Sequence, residues 1–123
     1  MSPELNQQLV DKYPLIFRHD FGIECGDGWY QLINLLCAKI QSQVNWSKCD
    51  QVTAAQVKEK FGELRFYHDG GDEYVRGLIS MAESMSEVTC EVCGERGELR
   101  HRRWIKSLCD RHAEELHGSS TSN

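Results

Sequence analysis

Four residues near the C-terminus have the side-chain types and the spacing of metal ligands. Cys90 and Cys93 are separated by two residues, and Cys109 and His112, which follow after fifteen residues, repeat that gap. Two such pairs match the tetrahedral zinc template, in which four thiolate or imidazole ligands come from two short segments. Four protein ligands leave no position for an activated water, so the set predicts a structural Zn²⁺ site. The alternative, three unrelated buried thiols and a surface histidine, leaves the repeated gap unexplained.

The residues around these ligands predict a small zinc module. Gly94 suits the tight turn of a zinc knuckle, Gly97–Leu108 is typical of a short hairpin, and Cys109–His117 is typical of a helix. A knuckle, a hairpin and a helix in this order resemble a treble-clef zinc finger. His101 and His117 are poorer ligand candidates, because neither keeps the two-residue gap. A segment with so few apolar residues needs its metal to fold, since zinc supplies about 10–16 kcal/mol in such modules.

The charge of the chain divides it into two unequal parts. Residues 1–88 hold eight Lys and Arg against thirteen Asp and Glu, whereas residues 89–123 hold six of each. We therefore predict an acidic α+β body at 1–88, a zinc-binding module at 89–118 and a disordered tail at 119–123. The formal net charge of −5 argues against a nucleic-acid coat protein, because phosphate binding needs a positive field.

The sequence predicts a cytoplasmic protein. Its first residues have neither the basic lead nor the apolar run of a secretion signal. No segment approaches the ~18–20 apolar residues that cross a bilayer. Because thiols stay reduced in the cytoplasm, we expect Cys25, Cys37 and Cys49 to fill the core rather than to form disulfides. Neither a membrane nor a small-molecule substrate is expected as a partner.

The body is expected to be α+β, with helices packed on a small antiparallel hairpin. Ser2 and Pro3 begin a helix that ends near Lys12, and Leu15–Gly26 is expected to be a loop. A long amphipathic helix starts at Asp27. Its apolar stripe is Trp29, Leu32, Ile33, Leu36, Cys37, Ile40 and Val44.

Two strands and a third helix complete the predicted body. The strands are Val52–Lys58 and Leu64–His68, joined near Phe61-Gly62. Asp72 caps the helix that follows. The apolar stripe predicted for this helix is Tyr74, Leu78, Met81, Ala82 and Met85.

Two catalytic interpretations are considered, and neither is favoured. The loop at 19–27 collects a nucleophile and several bases, namely His19, Asp20, Glu24, Cys25 and Asp27. Acidic neighbours raise the pKa of a thiol, which weakens a nucleophilic cysteine. The simpler interpretation is that Asp27 caps a helix and Cys25 packs beneath it. A zinc-knuckled nuclease of the His-Asn-His type needs a histidine base beside metal-binding groups, and the interval between the knuckles offers only His101. The protein is therefore expected not to be an enzyme.

Nucleic-acid binding is the main alternative function. A basic hairpin with an aromatic residue can contact phosphates and stack on a base. The candidate residues are Arg100, Arg102, Arg103, Trp104 and Lys106. In the competing interpretation these cations are solvated and pair with Glu95, Glu98, Glu114 and Glu115.

Binding to another protein is the favoured function. An acidic face steers a protein toward basic partners. The candidate residues for this face are Asp20, Glu24, Asp27, Asp69 and Asp72. Each of them, taken singly, is equally well explained as a helix cap or a turn residue.

Three segments together resemble a group of short proteins encoded by bacteriophages and prophages. The segments are Glu24-Cys25-Gly26-Asp27-Gly28-Trp29-Tyr30, Lys58-Glu59-Lys60-Phe61-Gly62-Glu63-Leu64-Arg65-Phe66-Tyr67, and the Cys-x2-Cys and Cys-x2-His tail. The resemblance implies a bacterial cytoplasm as the setting. It implies a setting rather than a mechanism, and it assigns no catalytic residue. By analogy with other small acidic phage proteins, we expect the chain to bind a host protein, including defence machinery, and to modulate or inhibit it.

Overall fold

The fold is α+β and combines four α-helices with two antiparallel hairpins among residues 1–117, the part of the chain that this computed structural model describes. The helices are α1 (Pro3–Lys12), α2 (Tyr30–Ser47), α3 (Glu73–Ser86) and α4 (Asp110–His117), and the strands are β1 (Thr53–Lys60), β2 (Glu63–Asp69), β3 (Glu98–His101) and β4 (Ile105–Leu108). The tail predicted at 119–123 lies outside the described residues, as does the last residue of the predicted zinc module. None of these helices has the length and apolar character needed to cross a membrane.

The first two helices follow their sequence signals. The Ser2 hydroxyl accepts the N–H of Leu5 at 3.4 Å, and Pro3 occupies the first turn of α1. A single 3-10 turn at Asp27–Trp29 leads into α2. Most of the predicted α2 stripe is buried and Leu32 is half-buried, so this helix packs its predicted face against the core.

The strands β1 and β2 form a hairpin around a two-residue turn. Lys60 pairs with Glu63, and the turn residues Phe61 and Gly62 have φ angles of 54° and 83°. Two positive φ angles in succession are the geometry of a hairpin turn that matches strand twist. Residues 15–26 are irregular as predicted, except that Glu24 pairs in parallel with Lys58 on the outer edge of β1.

Helix α3 covers the other edge of the hairpin. The Leu64 N–H donates to the Ser86 hydroxyl at 2.9 Å, and the Phe66 N–H donates to a Glu83 carboxylate oxygen at 3.0 Å. These two side chains give partners to backbone donors that an edge strand otherwise exposes. Helix α3 therefore packs against both β2 and α2.

The apolar stripe predicted for α3 is wrong. The buried residues are Val75, Ile79, Ala82 and Ser86. Of the predicted stripe only Ala82 is buried, while Leu78 is half-buried and the other three, Tyr74, Met81 and Met85, are exposed. This helix carries two adjacent apolar stripes, and periodicity does not choose between them. The hydrogen bonds of Ser86 and Glu83 to the edge of β2 orient the helix so that the stripe with Val75 and Ile79 is the one that is buried.

The second hairpin, β3 and β4, lies within the predicted range. Its register joins Glu98 to Leu108 and His101 to Ile105, with residues 102–104 as the turn. Ser107 and Leu108 are buried, whereas His101 is exposed. The hairpin leads directly to α4. The chain between the two cysteine-containing pairs therefore folds back on itself and places the second pair beside the first.

Candidate metal centre

The four predicted ligands lie together, and each is positioned by an element boundary. Cys90 and Cys93 lie in a turn just after α3, where the Gly94 N–H donates to the Cys90 carbonyl at 2.9 Å. Gly94 has a φ of 83°, a conformation that glycine adopts without steric cost. Cys109 directly precedes α4, and His112 lies in its first turn. The hairpin thus brings the second pair back to the first.

Three of the six distances among the predicted ligand atoms are close to the edges of a tetrahedral site. All four atoms lie within 4.8 Å of one another, and the cluster is compatible with metal binding. The Cys93 and Cys109 sulfurs are 3.8 Å apart, and His112 Nδ1 lies 3.3 Å from the Cys109 sulfur and 3.5 Å from the Cys90 sulfur. For an ion about 2.3 Å from each sulfur and about 2.1 Å from the nitrogen, a tetrahedron has sulfur–sulfur edges of about 3.8 Å and sulfur–nitrogen edges of about 3.6 Å. The cysteines form no disulfide.

The local electrostatics favour anionic sulfur at Cys90. Burial raises the pKa of this thiol. The backbone N–H groups of Cys109, Cys93 and Val92 donate to the sulfur and have the larger, opposite effect, so the pKa falls to about 6. The Glu95 N–H lowers the pKa of Cys93, whereas desolvation and the two neighbouring sulfurs raise it, and the net shift is upward. Ionised thiols this close repel one another, so a bound cation relieves the repulsion.

The turn that holds Cys90 and Cys93 is docked on the loop at 26–29. The Gly26 N–H donates to the Glu91 carboxylate at 2.8 Å, and the Gly28 N–H donates to the Glu91 carbonyl at 2.7 Å. The Trp29 indole, which is fully buried, donates to the Thr89 carbonyl at 2.9 Å. A Cβ atom at Gly26 or Gly28 would overlap the backbone of residues 90 and 91, so the close approach requires glycine at both positions.

A second set of contacts joins the β1–β2 turn to β4. The Lys106 ammonium lies 3.0 Å from Glu59 and 3.5 Å from Glu91, and both carboxylates are largely buried. Desolvation lowers the pKa of Lys106, but the Glu59 and Glu91 carboxylates raise it more, so its pKa lies above the ordinary value. The Ser107 hydroxyl donates to the Gly62 carbonyl at 2.6 Å. The predicted body and the predicted zinc module therefore share a polar interface.

Part of the positive charge of the basic hairpin is paired with acceptors of the protein itself. The Arg100 guanidinium donates to the Leu108 carbonyl at 3.0 and 3.1 Å and lies 2.8 Å from the Asp110 carboxylate. The charge of Lys106 is neutralised by two glutamates, as described above. Arg102 and Arg103 lie in the exposed turn, where Arg103 stacks 5.8 Å from the Trp104 ring centroid. Two of the four predicted nucleic-acid-binding cations are thus held in place by the protein's own acceptors.

The predicted acidic residues do not all lie in one patch. Glu24 lies beside Lys58 near the turn of the β1–β2 hairpin, whereas Asp69 pairs with Thr53 at the opposite end. At about 3.3 Å per residue these two ends are roughly 16 Å apart. Asp20 pairs with Arg18 at 3.0 Å.

The remaining two acidic residues have local structural roles. Asp27 accepts the Ser2 N–H at 2.7 Å rather than capping α2. Asp72 caps α3 as predicted, accepting the Val75 N–H at 3.0 Å.

Cys25 lies in the core. Only 7% of it is exposed. Burial raises the pKa of its thiol, and the Glu91 carboxylate adds to this, so the pKa reaches about 12. At neutral pH the thiol is therefore protonated and shielded, which is the environment of a packing residue.

The sequence pattern predicted the four residues of the cluster but not the residues that dock them. Glu91, which is 7% exposed, receives contacts from Gly26, Gly28 and Lys106, and no periodicity predicts its burial. A partial signal is the pair of glycines in Gly26-Asp27-Gly28, since glycine permits a close approach of another segment to the backbone. Searches against protein-family models, curated proteins and solved structures gave no match to this chain.

Proposed function

We propose that Cys90, Cys93, Cys109 and His112 bind one structural Zn²⁺ in a treble-clef-like module. Soft thiolates with one imidazole are the ligands that tetrahedral zinc prefers. The observed separations, close to the edges of such a tetrahedron, support this assignment. Four protein ligands fill the coordination sphere, so the ion organises the fold and activates no water.

Metal analysis tests this assignment. We expect one zinc per chain in the purified protein, and we expect Cys109→Ser to lose the metal and to melt at a lower temperature. Cys49→Ser is the matched control, because it makes the same thiol-to-hydroxyl change outside the ligand cluster. Zinc-free native protein, or a Cys109→Ser variant that melts like the native chain, would refute the proposal.

The chain as a whole is proposed to be a non-catalytic binding protein whose partner is another protein. The observation that carries this proposal is an apolar groove between α2 and α3. Its walls include Leu35, Met81 and Met85, which are 61%, 62% and 46% exposed. Contiguous large apolar side chains on a surface mark sites of protein interaction. In the setting implied by the phage resemblance, the partner is a host-cell protein.

Affinity capture from bacterial lysate, with and without nuclease treatment, tests the binding role. We expect a captured protein that resists nuclease. Loss of all captured material after nuclease treatment, together with its loss in an Arg102→Glu, Arg103→Glu variant, would favour nucleic-acid binding instead. These two arginines are the informative choice because Arg100 and Lys106 are held by internal acceptors.

A further inference from the structure

The groove between α2 and α3 has a defined shape and composition. Its lining consists of two helix faces with the same i, i+3, i+4, i+7 spacing: Leu32, Leu35, Leu36 and Lys39 from α2, and Leu78, Met81, Ala82 and Met85 from α3. Seven of these residues are apolar. The two helices run antiparallel, since Gln43 near the end of α2 donates to Asp72 at the start of α3 at 3.1 Å.

The size of the groove favours a macromolecular surface over a small ligand. Its volume is about 140 Å³, below the roughly 300–1,000 Å³ of small-molecule pockets. A groove of this size accepts individual side chains from a partner. The lining faces of α2 and α3 form two ridges that lie side by side. An amphipathic helix can pack its apolar stripe into the groove between such ridges. Methionine walls adapt to such stripes.

Lys39 gives one end of the groove a positive charge. It is the charged residue of the lining, and within residues 1–117 its ammonium makes no ion pair and no side-chain hydrogen bond. Its position, seven residues along α2 from Leu32, places it near one end of the groove, the end at which α3 begins. A carboxylate on the occupant therefore finds a complementary charge there.

The groove lining of a second copy does not supply that carboxylate. A two-fold axis through the groove would present the same eight lining residues, none of which is acidic. An antiparallel α2 pair centred on the groove would place Lys39 against Leu32 of the other copy. That arrangement desolvates an ammonium without a counter-charge.

We infer that this groove binds an amphipathic helix of a partner protein, with an apolar stripe at i, i+3, i+4 and i+7 and a carboxylate beside Lys39. The inference rests on the proposed protein-binding function and specifies the chemistry of the partner.

Synthetic peptides test the inference. The probes are helical peptides of about 15 residues with leucine at the stripe positions and Glu, Gln or Lys at the end of the stripe. Titration by fluorescence anisotropy is expected to give the affinity order Glu, then Gln, then Lys on the native protein. Lys39→Glu is expected to reverse the order, because it replaces the recognising charge with its opposite.

Variants of the groove wall provide the controls. Leu35→Glu is expected to weaken binding of the Glu peptide about tenfold or more. Trp46→Glu, on the same helix and outside the groove lining, is the matched control, since Trp46 is 82% exposed, and it should bind like the native protein. Failure of every peptide to bind, or an unchanged order in Lys39→Glu, would overturn the inference. A dimer in sedimentation that Leu35→Glu dissociates would also overturn it, in favour of a second copy.

The same variants separate this inference from the function on which it rests. If Leu35→Glu captures the same nuclease-resistant protein as the native chain, the binding role stands and the groove is not its site. If neither captures a nuclease-resistant protein, the binding role fails, and the peptide titrations still decide whether the groove accepts an acidic amphipathic helix.

Discussion

At the scale of single residues, Glu91 connects the candidate metal centre to the rest of the protein. It lies between two ligands of the cluster, and its side chain receives the Gly26 N–H and approaches the Lys106 ammonium. A buried carboxylate is stable only when such donors surround it. The residue thus explains why a charged side chain occupies a buried position between two cysteines.

We predict that Glu91→Ala destabilises the zinc-loaded protein by about 1–3 kcal/mol, because it leaves the Gly26 N–H without its acceptor. Glu91→Gln should cost less, since its amide oxygen can still accept that hydrogen bond. Urea unfolding at saturating zinc measures both. Glu95→Ala is the control, because Glu95 is exposed and contacts Cys90 and Cys93 through its backbone groups, which the substitution keeps. Equal midpoints for Glu91→Ala and Glu95→Ala would contradict this role.

At the scale of elements, helix α3 connects the hairpin, the groove and the metal centre. Its inner face covers the edge of β2, its outer face lines the groove, and its end leads into the turn with Cys90. Its start is fixed by Asp72, whose carboxylate accepts from the Val75 N–H and the Gln43 side chain. These bonds lower the pKa of Asp72 below its ordinary value of 3.8.

The Asp72 cap predicts a pH dependence of stability. A carboxyl group with a lowered folded-state pKa stabilises the fold above its unfolded-state pKa, and this contribution is lost as the pH falls through the folded-state value. Asparagine keeps an acceptor for Val75 but does not titrate in this range. We therefore expect the stability advantage of the native protein over Asp72→Asn to be constant at neutral pH and to shrink as the pH approaches and falls below the ordinary value of 3.8.

Paired urea unfolding curves at each pH measure this difference, and comparing two variants cancels the loss of metal in acid. Asp69→Asn is the control, because Asp69 is exposed and caps no helix. An advantage over Asp72→Asn that stays the same at every pH would show that the cap does not titrate with the fold.

At the scale of the whole molecule, the predicted body and the predicted zinc module pack as one unit. The segments at 24–30 and 58–67 supply the glycines, the buried Trp29 and the Glu59 carboxylate that contact the part of the chain with the candidate metal centre. These two segments therefore act as docking surfaces for that part of the chain. Release of a bound metal should therefore change the environment of buried residues in the body.

Tryptophan fluorescence tests this coupling. In a Trp46→Phe, Trp104→Phe variant, Trp29 is the remaining tryptophan of the three. We expect zinc removal by a chelator to shift its emission to longer wavelength, because the Thr89 carbonyl leaves the indole and water enters. Added zinc should restore the original emission. Unchanged emission after one equivalent of zinc has been released would mean that docking does not depend on the metal.

Local sequence signals were sufficient for the elements whose determinants lie within a few residues. The Ser2-Pro3 start of α1, the stripe of α2, the Phe61-Gly62 turn and the ligand spacing all predicted what the structure contains. Caps, turns and helical periodicity act over a turn or two of chain, so their physics is complete in the local sequence.

Tertiary structure alone decided which surfaces meet. The sequence determined that α3 is amphipathic, but its contact with β2 decided that the stripe with Val75 and Ile79 is buried and that Met81 and Met85 line a groove. The burial of Glu91 and the pairing of Lys106 with Glu59 likewise join residues far apart in the chain. Such contacts depend on how the helices and strands pack together. That packing is set by the shapes and contacting atoms of several elements at once, so no single segment of the sequence predicts it.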